Sequence, residues 1–396
     1  MDETTKREFL EAVHNRQPVA GLTHSFYRYP ARFSPLFARA AIEAFSEPGD
    51  VILDPFMGGG TTLVEARALG RHAVGTDINA LAVFVSKVKT TLFSEADLTA
   101  VSGWVKDIAR TLNLHESAND MSSWLELGYL RNIEGKTTWP IRKMLSLSLD
   151  RANELPQKQQ NLARCILLKT SQWALDCRSE IPNTQLFRRQ LLKYSEEITA
   201  GARDFARSVR KAVRYYQLDS LSRTSCLHRS AIGLEVETEI RNSPTPRLIL
   251  TSPPYPGVHV LYHRWQIQGR RETATPFWIT NTLDGNGASF YTFGDRKQAE
   301  LTDYYEQALA AFTSLAHIAD DQTLVVQMVA FSDPSWQLPK YLAVMKEAGF
   351  REALFSDISN SSDERIWREV PNRKWYANQR RVSATSKEVV LFHRLR

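Results

Sequence analysis

Long apolar runs and cysteine are both scarce in this sequence of 396 residues. No stretch reaches the roughly eighteen apolar residues that a membrane-spanning helix requires, and residues 1–7 are too polar for a secretory signal. The three cysteines, Cys165, Cys177 and Cys226, are far apart and form no CxxC pair, so their spacing indicates neither a disulfide framework nor a zinc site. We therefore expect a cytoplasmic protein without a membrane span or a metal centre.

The charge balance is mildly basic. The 50 lysines and arginines exceed the 44 acidic residues, which gives a formal net charge of +6 and a pI near 9.1. A basic surface suits a nucleic-acid partner, although many basic proteins bind none. With 43% apolar and 24% charged residues, the composition is that of a globular protein. Composition therefore permits a nucleic-acid partner without identifying one.

The first part of the chain alternates between helix and strand patterns. Ser34 and Pro35 predict the cap and the first turn of a helix, and residues 51–53 predict a short buried strand. A glycine-rich loop and a helix ended by Gly70 follow, and residues 72–77 predict a second strand. This unit predicts an α/β fold with a doubly wound, mostly parallel sheet.

The alternation stops in the middle of the chain. From about residue 95 to about residue 215 the pattern is helical and amphipathic, and strand patterns return near residue 224. We predict that residues 1–95 and 220–396 form one α/β domain and that residues 96–219 form a large helical insert.

A glycine-rich loop joins the first predicted strand to its helix. It reads Asp-Pro-Phe-Met-Gly-Gly-Gly-Thr-Thr over residues 54–62. Glycines let a ligand approach the backbone closely, and the start of the helix offers free N–H groups. The loop is not a Walker loop, because no Gly-Lys-Ser/Thr follows, and it does not fit GxGxxG, because the third glycine position falls on Leu63.

Asp77 ends the second predicted strand, about twenty residues after the glycine loop. An acidic side chain at this place can accept both ribose hydroxyls of an adenosine-type ligand, and Ile78 beside it can cover one face of a purine. For Asp77 alone, helix capping is the ordinary interpretation. The glycine loop upstream favours nucleoside binding.

Residues 251–255, Thr-Ser-Pro-Pro-Tyr, follow another predicted buried strand. The two prolines end the strand and stiffen the turn, which then presents one hydroxyl and one aromatic ring. Such a turn can hold a flat ring that carries an amine, by stacking and by accepting hydrogen bonds. Considered alone, it fits an inert proline-rich surface turn equally well.

Taken together, the segments at residues 54–61, 75–78 and 251–255 resemble the amino-group DNA methyltransferases. The resemblance covers about residues 24–95 and 245–396, and not the helical insert. It implies a Rossmann-like class I methyltransferase fold, S-adenosyl-L-methionine as cofactor and double-stranded DNA as partner. The implied reaction is site-specific methylation of cytosine N4 or adenine N6 on a flipped-out base. Pairing with a cognate restriction endonuclease is compatible with the resemblance.

The resemblance also implies which residues contact the cofactor. The segment at residues 29–35 is similar to the one that contacts the methionine end of the cofactor in this family. The implied cofactor-binding residues are Phe33, Pro35, Asp54, Phe56, Gly58, Gly60, Thr61, Thr62, Asp77, Ile78 and Thr251. Residues 227–230 lack the acid that often holds the adenine amine, so that partner is not assigned.

Residues 251–255 would supply the chemistry. An exocyclic amine is a poor nucleophile because its lone pair is delocalised into the ring, and two acceptors would localise that pair. The resemblance places these acceptors at Ser252 Oγ and the Pro253 carbonyl, with Tyr255 stacked on the flipped base. The implied catalytic residues are Ser252, Pro253, Pro254 and Tyr255. Methylation at cytosine C5 is not expected, because its cysteine nucleophile usually follows a proline and no Pro-Cys occurs.

The base that supplies the amine is less well determined. Serine at position 252 is typical of cytosine-N4 enzymes, although adenine N6 stays open because serine can accept from either amine. An RNA guanine-N2 methyltransferase and a non-catalytic nucleic-acid-binding protein of this fold are further alternatives. The RNA enzymes usually carry Asn or Asp before Pro-Pro, and an RNA-binding N-terminal domain.

Basic and aromatic residues that follow the Pro-Pro turn (residues 251–255), or that lie near the C-terminus, are expected to contact DNA. The candidates are Arg264, Trp265, Arg270, Arg271, Arg373 and Lys374. An ordinary surface loop with some core aromatics is the alternative. His259 and His263 are four residues apart, but no third metal ligand is evident.

The helical insert carries basic residues on its longest predicted helix. They are Arg188, Arg189, Arg207, Arg210, Lys211 and Arg214. Recognition of the target sequence and a scaffold or dimerisation role are both open for the insert. The recognition sequence and the oligomeric state are not accessible from these patterns.

Overall fold

Among the residues that the computed structural model describes, eight strands form one sheet and two more form a separate hairpin. The structure describes residues 2–17, 19–29, 34–117, 121–257, 264–269, 271–285, 287–295, 297–359, 361–370 and 386–396. The strands are β1 Val51–Asp54, β2 His72–Asp77, β3 Thr224–His228, β4 Leu248–Thr251, β5 Trp265–Ile267, β6 Arg271–Thr273, β7 Leu324–Ala330, β8 Phe350–Glu352, β9 Ile366–Val370 and β10 Ser386–Leu395. Strands β5 and β6 are the hairpin.

Many of the helices fall between β2 and β3 in the sequence, and several others pack on the two faces of the sheet. They are α1 Glu3–His14, α2 Pro35–Phe45, α3 Thr61–Ala68, α4 Ala80–Thr90, α5 Glu95–Thr111, α6 Ser122–Glu126, α7 Trp139–Ala152, α8 Gln157–Leu175, α9 Thr184–Tyr216, α10 Thr238–Arg241, α11 Thr275–Thr280, α12 Thr302–Ile318 and α13 Pro334–Glu347. Across the described ranges, no helix combines the length and the apolar character needed to cross a bilayer.

The strand order of the large sheet is β3-β2-β1-β4-β7-β10-β8, and β9 also pairs with β10. Neighbouring strands from β3 to β7 run parallel, whereas β10 runs antiparallel to β7, β8 and β9. This arrangement confirms the predicted Rossmann-like, doubly wound and mostly parallel sheet. The order of the strands reverses between β1 and β4, and ligands of such sheets bind in the crevice at the carboxyl ends of the strands at this point.

Local patterns predicted several helix ends correctly. The Ser34 hydroxyl accepts a hydrogen bond from the Leu36 N–H at 3.2 Å, and Pro35 begins α2, as expected for a helix cap and first turn. Helix α3 ends just before Gly70, whose φ of +81° is the left-handed conformation that ends helices.

The helical residues between β2 and β3 share a hydrophobic core with a segment beyond β4. Trp265, Ile267, Phe277 and Trp278 are buried in the same cluster as the apolar faces of α5, α7, α8 and α9. The hairpin and α11 therefore pack with the helical part of the molecule, although they follow the Pro-Pro turn in sequence. The boundaries at residues 96–219 stay a prediction, and this shared core extends beyond them.

Two helical glycines provide a stability test. A Cβ on Gly201 of α9 would lie 2.4 Å from the Leu22 carbonyl oxygen, whereas a Cβ on Gly103 of α5 would meet nothing within 4 Å. Gly201→Ala should lower the free energy of unfolding by about 1–3 kcal/mol through overpacking. Gly103→Ala should raise it by about 0.5–1 kcal/mol through helix propensity. Equal effects of the two changes in denaturant titrations would contradict this packing.

Candidate active site

The ends of β1 and β4 are joined by a buried hydrogen bond. The Thr251 hydroxyl donates to Asp54 Oδ1 at 2.7 Å, and the same oxygen accepts from the Phe56 N–H at 3.2 Å. Burial raises the pKa of Asp54 to about 6, although these two hydrogen bonds favour the carboxylate. The bond fixes the glycine loop, which follows β1, against the Pro-Pro turn, which follows β4.

The glycine loop packs too closely against its neighbours for larger residues. A Cβ on Gly60 would lie 2.6 Å from Ser86 Oγ, and one on Gly59 would lie 2.9 Å from the Cβ of Tyr29. Gly60 has a φ of +71° immediately before α3. Lys89, buried in α4, donates from Nζ to the Gly59 carbonyl at 2.6 Å. The loop is thus held against α4 and Tyr29, with its shape set by glycine.

Asp77 lies at the carboxyl end of β2 and faces the glycine loop. Its Oδ2 accepts from the Gly58 N–H at 2.9 Å, and its Oδ1 accepts from the Asn79 N–H at 2.8 Å. Burial raises the pKa of Asp77 to about 6, although these two hydrogen bonds favour the carboxylate. Helix α4 is capped by Asn79, whose side chain accepts from the Leu81 N–H at 3.0 Å, so helix capping does not account for Asp77.

The Pro-Pro turn is held by hydrogen bonds on its buried side. Ser252 Oγ lies 2.9 Å from the Tyr255 hydroxyl oxygen and 3.1 Å from the Met328 carbonyl oxygen. The Tyr255 hydroxyl lies 3.2 Å from Glu388 Oε1, and the Tyr304 hydroxyl donates to the Pro254 carbonyl at 2.7 Å. The turn is therefore braced by β7, β10 and α12.

One cleft connects the glycine loop to this turn. It is lined by Tyr29, Pro55, Phe56, Gly58, Asp77, Ile78, Arg229, Ser230, Ala231, Ser252, Pro254 and Tyr291. Six residues predicted from the sequence are therefore brought together here: Phe56, Gly58, Asp77, Ile78, Ser252 and Pro254. An acidic acceptor, apolar side chains and a glycine that lets a ligand approach the backbone closely suit an adenosine-type ligand.

Other predicted residues support the cleft without lining it. Asp54, Thr62, Pro253 and Thr251 are buried behind the wall, and the Thr62 hydroxyl lies 3.3 Å from the Leu250 carbonyl oxygen. Gly60 and Thr61 lie at the start of α3, and Pro35 lies in the buried first turn of α2. Tyr255 is half-buried at the end of the Pro-Pro turn. Phe33 lies outside the described residues.

Sequence reasoning missed one wall of the cleft. Tyr291 lines it, and its hydroxyl donates to Asp284 Oδ1 at 2.7 Å, while Arg264 Nε donates to Asp284 Oδ2 at 2.9 Å. The Phe293 ring packs edge-on against the Phe56 ring at 5.5 Å between centroids. Aromatic residues in a glycine-containing loop were the available signal, but nothing in the sequence indicates that this loop folds over the cleft.

The residues predicted to contact DNA fall in different environments. Trp265 is only 2% exposed, and its Nε1 donates to the Tyr27 hydroxyl at 2.9 Å; this burial argues against a contact with DNA and corrects that expectation. Arg264 lies near the cleft and is paired with Asp284, whereas Arg271 is exposed. Arg270, Arg373 and Lys374 lie outside the described residues, as do His259 and His263.

Residues 4–87 match a family of DNA methylases of the N6 and N4 type. Over these residues the chain is similar to DNA methylases. Type II methyltransferase M.MvaI of Kocuria varians is 39% identical over 102 residues, which are 25% of this chain and 22% of that protein. Type II methyltransferase M.MjaII of Methanocaldococcus jannaschii is 27% identical over 107 residues, 26% of this chain and 20% of that protein.

The chain spans about a fifth of the length of these curated relatives, since 22% and 20% of them are covered. Among solved structures, TrmN from Thermus thermophilus aligns with a TM-score of 0.33 and 11% identity over 94% of this chain and 53% of that one. A TM-score of this size does not establish a shared fold or a shared function. The class I methyltransferase fold rests instead on the strand order of the sheet and on the DNA methylase match.

Asp77 yields a prediction about cofactor affinity. The expected contact with the ribose hydroxyls requires the ionised carboxylate, so the affinity for S-adenosylmethionine should rise as the pH increases through about 6, where Asp77 loses its proton. Asp77→Asn should lower this affinity about tenfold or more and flatten the pH dependence. Calorimetry at several pH values measures both effects. Asp50→Asn, at the opposite edge of the sheet, is the control, and an unchanged pH profile in Asp77→Asn would contradict the assignment.

Proposed function

We propose that this chain transfers a methyl group from S-adenosyl-L-methionine to an exocyclic amine of a base in double-stranded DNA. Cytosine N4 is the proposed target. The observation that carries the proposal is the single cleft that has Asp77 and the glycine loop at one end and Ser252 and Pro254 at the other. A cofactor held by the first group would lie beside a base held by the second.

The cofactor end of the cleft matches the chemistry of its proposed ligand. Asp77 keeps unused lone pairs on both carboxylate oxygens after accepting from Gly58 and Asn79. Ile78 and Phe56 offer apolar surface to a purine, and Gly58 allows close approach of the backbone. These residues would hold the adenosine part, and S-adenosylmethionine supplies an electrophilic methyl group when bound.

The other end of the cleft would hold the amine. Ser252 Oγ and the Pro253 carbonyl would accept its two hydrogens, and the Tyr255 ring would stack on the base after it leaves the duplex. S-adenosylmethionine, held by Asp77, Ile78 and the glycine loop, would supply the methyl group. The amine would form the N–C bond as the S–C bond breaks, the electron pair would stay on sulfur, and the amine would lose one proton to solvent. Catalysis rests on alignment and on stabilisation of the developing positive charge, without a covalent enzyme intermediate.

The choice of cytosine N4 rests on the serine at position 252, since adenine N6 enzymes and RNA guanine-N2 enzymes of similar plan usually carry Asp or Asn there. Adenine N6 is the alternative within the same chemistry. The relatives M.MvaI and M.MjaII are named as type II methyltransferases, and pairing with a restriction endonuclease is proposed for this chain on that ground alone.

The proposed DNA surface lies at the mouth of the cleft. Asp284, which anchors Tyr291 and Arg264, also donates its N–H to the Tyr129 hydroxyl at 2.8 Å. The loop that begins at Tyr129 contacts the β5–β6 hairpin, where Asn132 Nδ2 donates to the Glu272 carbonyl at 2.7 Å. Exposed cations line both segments: Arg131, Lys136 and Arg271.

The basic residues of α9 are less well placed for this role. Arg188 is half-buried and donates to the Ala109 carbonyl at 2.6 Å. The C-terminal end of α9 packs near Gly70, where a Cβ would lie 3.5 Å from Ala212. Gly70 precedes β2, so Arg210, Lys211 and Arg214 lie at the edge of the sheet opposite the cleft. We therefore assign recognition of DNA to the loop at residues 129–137 and the hairpin.

The first test identifies the product. Incubation with labelled S-adenosylmethionine and DNA or RNA, followed by nucleoside mass spectrometry, should yield N4-methylcytosine in DNA. Ser252→Ala should slow the transfer by about tenfold to a hundredfold with unchanged cofactor affinity, because one acceptor for the amine is lost. Ser148→Ala is the control. It also removes a buried serine hydroxyl, which donates to the Met144 carbonyl at 2.7 Å, and it should leave the rate unchanged. Methylated adenine or RNA would overturn the cytosine assignment.

The second test compares two basic surfaces. Arg131→Glu with Arg271→Glu should weaken DNA binding about tenfold at low salt and reduce the slope of log affinity against log salt concentration. Arg210→Glu with Lys211→Glu, at the opposite edge, makes the same change in net charge and should have little effect. A larger loss from the second pair, measured by fluorescence anisotropy, would place the DNA on α9 instead.

A further inference from the structure

A buried ion pair lies directly behind the Pro-Pro turn. Glu388 on β10 and Arg368 on β9 are opposite each other in the sheet, and they are 5% and 8% exposed. Arg368 Nε donates to Glu388 Oε2 at 2.8 Å, and an Arg368 terminal nitrogen donates to the Val13 carbonyl at 3.2 Å. Arginine stays protonated in proteins, so the pair is charge-assisted and presents Glu388 as a carboxylate.

The second oxygen of this carboxylate faces the turn. Glu388 Oε1 lies 3.2 Å from the Tyr255 hydroxyl, and the Tyr255 oxygen lies 2.9 Å from Ser252 Oγ. Ser252 Oγ is also 3.1 Å from the Met328 carbonyl oxygen. A hydrogen-bond chain therefore runs from the buried ion pair to the one side chain proposed to accept from the substrate amine.

The direction of this chain follows from the number of protons available. A carboxylate only accepts, and Tyr255 has a single O–H, so that proton is directed to Glu388. Tyr255 then cannot donate to Ser252. Ser252 must donate its own proton to the Tyr255 oxygen or to the Met328 carbonyl, both on the buried side. Its lone pairs are left for the cleft, where an amine needs an acceptor.

We propose that Glu388 is a positioning residue that, through Tyr255, fixes Ser252 as a hydrogen-bond acceptor toward the substrate amine. This inference rests on the proposed function. It gives the Tyr255 hydroxyl a role separate from stacking by the ring, and it gives Glu388, which touches neither base nor cofactor, an effect on the rate of methyl transfer.

Two variants remove single links of the chain with little change in shape. Tyr255→Phe keeps the ring and removes the hydroxyl, and Glu388→Gln replaces an obligate acceptor by an amide that can also donate. Each should slow single-turnover methyl transfer about fivefold to tenfold, the effect of one hydrogen bond. The KM for DNA and the cofactor affinity should stay unchanged, because binding of the base and cofactor does not use these groups.

The double variant tests whether both residues act through one chain. Tyr255→Phe with Glu388→Gln should be no slower than the slower single variant, because Glu388 has no connection to Ser252 once the tyrosine hydroxyl is gone. Tyr305→Phe removes a tyrosine hydroxyl that bonds the Gln337 carbonyl at 3.2 Å, and Glu352→Gln alters another ion pair of the sheet, with Arg365. Both controls should retain the wild-type rate.

Three results would overturn the inference: a full rate in Tyr255→Phe, rate losses that multiply in the double variant, or equal slowing in Tyr305→Phe and Glu352→Gln. Thermal unfolding of each variant identifies losses of folded protein, and Tyr255→Phe decides the matter should Glu388→Gln fold poorly. Absence of methyl transfer by the wild-type protein on any nucleic acid would instead contradict the proposed function itself.

Discussion

The hydrogen bond between Thr251 and Asp54 is the contact on which the candidate active site depends. It joins the ends of two neighbouring parallel strands, β1 and β4, through residues 197 positions apart in sequence, at 2.7 Å. A buried carboxylate is costly without partners, and Asp54 receives them from Thr251 and from the loop it precedes. The same bond therefore lowers the cost of burying Asp54 and sets the spacing between the glycine loop and the Pro-Pro turn.

Three acidic residues share this edge of the sheet, and each has a different environment. Asp54 is buried between the two loops, and Asp77 faces the cleft with lone pairs available to a ligand. Glu388 is paired with Arg368 behind the turn. The three carboxylates differ in their hydrogen-bond partners and in their access to solvent, and these differences support the structural role of Asp54, the ligand-binding role proposed for Asp77 and the positioning role proposed for Glu388.

The helical part of the molecule is joined to the candidate active-site cleft through its core. The Tyr27 hydroxyl accepts from Trp265, and Tyr129 meets Asp284 near the mouth of the cleft. Because the hairpin after the Pro-Pro turn packs into this core, a surface formed by the helical part and the hairpin lies beside the turn. This arrangement favours a role in recognising DNA for residues 129–137.

The sequence by itself determined the features that depend on local backbone chemistry. The cap at Ser34, the helix end at Gly70, the glycine loop and the stiff turn at residues 251–255 are all encoded within a few neighbouring positions. The resemblance carried by these motifs also predicted a similarity to DNA methylases, and the family match at residues 4–87 bears this out for that segment. Asp77 was selected from its spacing of about twenty residues after the glycine loop, and its ribose-binding role stays a prediction.

Only the tertiary structure decided which distant side chains complete the site. The residues next to Trp265 in the sequence do not indicate whether its side chain is buried or exposed. Packing against the helical core buries it. Tyr291 reaches the cleft because its loop folds back over the glycine loop. Glu388 lies in β10, and only the antiparallel register of β10 with β7 and β9 brings it to Tyr255, 133 residues away. Strand pairing and core packing are long-range interactions, so no local pattern specifies them.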